Sequence, residues 1–146
     1  MSSEKKLLME ITARETAEFE RMAIILNKKH QSIAELDNAA IQSTVSEELD
    51  ELNKIHGVEK ERTAVLGKLG LSGADLNDPN ILEKKLGEEV SKDYRKLHSA
   101  LYDAFAKAQV LNGISKILLG HSLAFIRQNI RIMTDNGNRK LVDKKA

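Results

Sequence analysis

Leu7, Leu8, Ile11, Ala17, Phe19, Met22, Ala23 and Leu26 recur mainly at steps of three and four, the period that gathers side chains on one face of an α-helix. Glu and Arg fill the opposite face, so a helix is predicted from about Ser3 to His30. Asp37 offers a short acceptor side chain as an N-cap for a second helix beginning near Asn38. That helix would carry Ile41, Val45, Leu49, Leu52, Ile55, Leu66 and Leu69 on one stripe. From Val45 to Ile55 the steps are four, three and three, which is coiled-coil spacing. Gly57 costs about 1 kcal/mol relative to Ala inside a helix, but the stripe continues beyond it. The helix is therefore expected to reach Gly70, a residue suited to the position just past a helix end.

Gly70 to Pro79 is the one clear loop. Asp78-Pro79 then supplies a cap followed by proline at the first helical position. From there Leu82, Leu86, Val90, Tyr94, Leu97, Leu101, Phe105 and Ala108 keep the helical period, and it continues to about Thr134. Asn112-Gly113 is the expected interruption, where this third helix would bend or break into a fourth. At 1.5 Å per residue the second helix is roughly 48 Å long and the third, unbroken, roughly 83 Å. The first two helices cannot cover the third along its whole length.

After Asn112 the apolar content exceeds what one-sided packing needs. Ile114, Leu118, His121, Phe125 and Ile132 form one seam, and Leu119, Leu123, Ile126, Ile130 and Met133 form another. A helix packed on one side needs a single stripe. Either this segment is buried on two sides within its own bundle, or one seam is a docking surface for an amphipathic helix. Residues 135–146 are polar and are expected to form a mobile basic tail to a single domain spanning 1–134.

Composition agrees with an all-α class. The chain is 41% hydrophobic, 31% charged and only 3% aromatic, with one proline, as long helices with aliphatic seams require. The formal net charge is +1, but seven Lys and Arg stand against two Asp from Lys116 onward. A basic end can meet nucleic acid or an anionic membrane surface, or simply keep an apolar helix soluble. Helix-turn-helix signatures and interleaved stacking aromatics are missing, so a nucleic-acid-binding bundle using the basic C-terminus is a less favoured reading. There is no cysteine, hence no disulfide or thiolate chemistry. Charges at Glu10, Arg14 and Glu15 break any leader-like apolar stretch, and no apolar run approaches the roughly 20 residues of a membrane span. A cytoplasmic protein without stable membrane insertion is expected.

Catalysis needs convergent polar groups, and the sequence offers none in a recognised pattern. No phosphate-binding glycine motif occurs. The residues three before His30, His56, His98 and His121 are Asn27, Asn53, Arg95 and Leu118, so the Glu-x-x-His pattern of di-metal bundles is absent. No catalytic residue, metal ligand or cofactor is expected, and the chain reads as a binding protein rather than an enzyme.

Leu49, Leu52, Ile55, Val58-Glu59, Arg62, Val65-Leu66 and Leu69-Gly70 resemble the long second helix of the FlgN family of flagellar type III export chaperones, with its Leu-Glu-x-x-Arg signature and closing Leu-Gly. Asn112, Ser115, Leu118-Leu119, Ser122-Leu123 and Phe125-Ile126 resemble its Asn-x-x-Asn-x-x-Leu-Ile-x-x-Ser-Leu-x-aromatic-Ile stretch. Ser115 stands where the family has its second Asn, and no aromatic occurs near Met133-Thr134. On the residues alone, Glu59 and Arg62 read as a surface ion pair one turn apart.

The resemblance implies a chaperone for hook–filament junction (hook-associated) proteins, which holds their amphipathic C-terminal helix before secretion and delivers it to an export gate component. Joined to the apolar excess, it points to Leu118, Leu119, Leu123, Ile126, Ile130 and Met133 as the client surface. The expected architecture is an elongated antiparallel bundle of three long helices. The rival reading is a structural adaptor that self-associates through its C-terminal seam, and a homodimer of the free chain is a further way to cover that seam.

Overall fold

A computed structural model describes residues 2–126, and these form helices without a strand. They are α1 (Ser3–Ala34), α2 (Asn38–Lys68), a 3-10 turn (Gly73–Asn77), α3 (Pro79–Leu86) and α4 (Glu88–Ile126). The first three α-helices are each capped by the residue before them. Ser2 accepts from the Lys5 amide at 3.2 Å, Asp37 from Ala40 at 3.1 Å, and Asp78 from Asn80 at 3.0 Å with Pro79 in the first turn. These side chains satisfy amides that the helix itself leaves without partners. Gly70, at φ +72°, turns the chain after α2.

Two expectations about the helices change. The first helix runs four residues beyond His30, to Ala34. The interruption expected at Asn112-Gly113 does not occur there, because α4 continues through both residues. The third stretch is divided instead at Gly87, whose φ of +93° with ψ of 160° is open to glycine and strained for other residues. The Leu82, Leu86, Val90 and Tyr94 spacing runs straight across this break and conceals it.

Ion pairs fix the directions. Arg14 meets Glu61 at 2.7 Å and Lys28 meets Glu47 at 2.8 Å, so α1 and α2 run antiparallel. Phe19 lies edge-on to Phe105, with centroids 5.4 Å apart, and His30 Nε2 donates to the Leu111 carbonyl at 2.8 Å. Position rises together along α1 and α4, which therefore run the same way. Around Tyr94 a closed core gathers Leu8, Ile11, Val58, Val65, Leu66, Leu82 and Leu86. Farther along, a thinner core holds Met22, Leu26, Ile55 and Ala108. Burial of such side chains contributes about 1.5–3 kcal/mol each, so the end near α3 is the better anchored of the two.

The α2 seam differs from the stripe expected for it. Ile55 and Leu66 are buried, but Val45, Leu49 and Leu52 are 38%, 57% and 39% exposed. The residues turned inward are Thr44, Glu48, Glu51, Ile55, Val58, Arg62, Val65 and Leu69, an alternation of four and three from end to end. Half of that seam is polar. The inward Glu and Arg are tolerable because α1 supplies partners for them, Lys29 for Glu48 and Glu15 for Arg62.

Candidate binding surface

The most chemically distinctive cluster lies inside the bundle. Arg62 donates through Nε to Glu15 Oε1, with the two side chains only 15% and 3% exposed. Tyr94 of α4 is fully buried beside Arg62 and Thr12. Burial raises the pKa of its hydroxyl, which has no hydrogen bond of good geometry. His98, one turn on, has its pKa lowered by burial and then by the Arg62 charge. The cluster ties α1, α2 and α4 into one register. It is closed to solvent and offers no substrate a way in. Among the described residues, no group of three or more His, Cys, Asp or Glu could hold a metal ion, and no helix is long and apolar enough to cross a membrane.

An exposed apolar surface lies at the other end. α1 packs along both α2 and α4, whereas α2 and α4 meet there mainly through side chains. Near α3 the flanks of α2 and α4 that face each other are buried, as Leu66, Ser91, Tyr94 and Leu101 show. Toward the α1–α2 turn the same flanks open. Val45 and Leu52 on α2, and Tyr102 and Phe105 on α4, are exposed. Three helices there occupy three corners of a four-helix arrangement, and among the described residues nothing fills the corner opposite α1.

α4 also outruns its support. Beyond the His30–Leu111 contact, α1 has four residues left and α4 has fifteen. The α4 backbone therefore projects past the α1–α2 turn by eleven residues, roughly 16 Å at the helical rise. Those residues include Leu118, Leu119, Leu123 and Ile126, the part of the expected client surface that falls within the described helix. Ile130 and Met133 lie outside the described residues, as does the 135–146 tail.

The family model described as FlgN protein matches residues 1–142. The chain belongs to the FlgN family. No curated protein and no solved structure matches it. Membership makes it a flagellar export chaperone. A chaperone's business is binding rather than bond-making, which suits a bundle whose polar cluster is sealed and whose apolar surface is displaced to one end. In this FlgN-family chain the family-like Arg62 is a core residue facing Glu15, not half of a surface pair with Glu59. The outward Val45–Leu49–Leu52 flank escapes a purely apolar reading, which passes over polar seam residues. The unbroken four-three alternation through Thr44, Glu48, Glu51 and Arg62 is the signal that can find it.

Proposed function

We propose that this FlgN-family chaperone binds the amphipathic C-terminal helix of hook–filament junction proteins in the cytoplasm and shields it until the export gate receives it. The observation that supports this is the projecting end of α4. A helix that leaves its own bundle with apolar residues around most of its circumference is a surface for another helix. Leu118, Leu119, Leu123, Ile126, Ile130 and Met133 carry the contact. A client helix laid along them removes apolar area from water on both partners, worth about 25 cal/mol per Å² before the cost of association. The chaperone needs no nucleotide chemistry for this, only affinity that the export gate can outcompete.

The test is a double substitution, Leu123→Asp with Ile130→Asp. Client binding measured by titration calorimetry should be lost while helicity and Tm stay close to those of the parent. Loss of the whole fold would place this seam in the core and contradict the reading.

A further inference from the structure

We infer that the open corner between α2 and α4 is filled, in the client-free protein, by the projecting end of α4 from a second copy of this chain. Three observations single out that occupant. The corner is apolar on the α2 side, at Ile41, Val45 and Leu52, and its Glu48 is already paired with Lys29, so nothing in it demands a charged ligand. Its length along α2, from Ile41 to Leu52, is twelve residues, about 18 Å. The same chain carries a projecting helix of eleven residues, about 16 Å, that no other described helix covers.

The α4 sequence then supplies the register. Ala106, Gly113 and Gly120 follow one another at steps of seven, so they share one line along the helix. Exposed Tyr102 and Phe105 lie on one side of that line, the side that borders the open corner. A side chain added at Gly113 would meet nothing within 4 Å, so the line is uncovered at its midpoint. Gly113 is also its centre of symmetry. In an antiparallel pair with a two-fold axis there, Ala106 of each copy faces Gly120 of the other, and the small residues let the two backbones approach closely. The same axis sets residues 116–126 of each copy beside residues 110–100 of the other, the stretch that borders the open corner. Each end of the dimer becomes a four-helix bundle of α1, α2, α4 and the other copy's α4. The contact is isologous and closes on itself. It covers residues 118–126 until a client helix displaces it, which makes dimer dissociation the step that arms the chaperone.

Disulfide trapping tests this in the full chain, which has no native cysteine. Gly113→Cys should oxidise to a covalent dimer, while Gly57→Cys, on α2 in open surroundings, should not. Ala106→Cys and Gly120→Cys should each form no covalent dimer alone and cross-link when mixed. Val45→Asp with Leu52→Asp should raise the dimer dissociation constant about a hundredfold or more and leave client binding equal or tighter. A client-free chain that is monomeric by light scattering at about 100 µM, with Gly113→Cys no more cross-linked than Gly57→Cys, overturns the inference. So does self-linking of Ala106→Cys, which would mean parallel pairing. Loss of client binding in the Val45/Leu52 variant would assign the corner to the client instead. None of these results depends on whether Leu123 and Ile130 bind client, so the dimer and the chaperone reading fail separately.

Discussion

Arg62 reaches across from α2 to pair with Glu15 of α1, rather than with Glu59 one turn earlier on its own helix. Burial holds Glu15 above the usual carboxylate range, and Arg62 pulls it part of the way back. A charged pair this deep adds little net stability compared with apolar residues of the same shape, but losing one partner leaves an uncompensated charge. Arg62→Ala should therefore destabilise the fold by about 3–5 kcal/mol, read as a fall in the urea midpoint. Glu15→Leu with Arg62→Met should recover most of the loss. Similar, additive effects of the two single changes would show that the pair is not coupled.

A second carboxylate gives a pH signature. Glu51 is buried against α1, with Oε2 unpartnered and Oε1 3.9 Å from Arg21 Nε. Burial first, then neighbouring Glu18, raise its pKa to about 7, against the smaller pull of Lys54 and Arg21. Glu18 is shifted the other way and stays ionised, held by Glu51 and Arg21. A raised folded pKa means that Glu51 contributes stability below its unfolded value of 4.5, and that this is lost as pH rises toward about 7. His98, with its lowered pKa, acts in the opposite sense and loses stability as pH falls below its unfolded value of 6.5. Comparing Glu51→Gln with the parent removes the His98 part, which both chains share. The variant's Tm advantage should grow by roughly 4 °C or more from pH 5 to pH 8. An advantage that is flat with pH would refute the buried-acid account.

Two glycines should respond with opposite signs. Gly57 sits inside α2 with nothing within 4 Å of an added Cβ, so Gly57→Ala should stabilise by about 0.5–1 kcal/mol through helix propensity. Gly87 holds φ +93° between α3 and α4, so Gly87→Ala should cost about 1–3 kcal/mol in backbone strain. Chemical denaturation of the two variants, each against the parent, reads both numbers. Equal effects would contradict the hinge at Gly87.

Legibility in the sequence follows the range of the interaction. Caps at Asp37 and Asp78 and the stop at Gly70 are local devices, readable from a few neighbouring residues. The Val45–Leu49–Leu52 stripe reads as an inward seam because hydrophobic periodicity cannot register a seam built from Thr44, Glu48, Glu51 and Arg62. Of these, Glu48 and Arg62 are held inward by Lys29 and Glu15 of α1, a tertiary fact. Gly87 is hidden for a different reason. A change of backbone conformation there leaves the spacing of Leu82, Leu86, Val90 and Tyr94 intact. At the far end of α4 the sequence shows an apolar excess and an overhang. The open corner beside α2 requires the directions of three helices at once.

If residues 118–133 hold the client, their removal must abolish binding without unfolding the bundle. The direct measurement is light scattering during size exclusion of the full chain mixed with the C-terminal segment of a hook-associated protein from the same organism, alongside a chain ending at Asn112. The account predicts a discrete complex with the full chain and none with the truncated one, which should keep the α1–α2 hairpin and the Tyr94 core. A complex that survives the truncation would contradict it and move the client to the bundle itself.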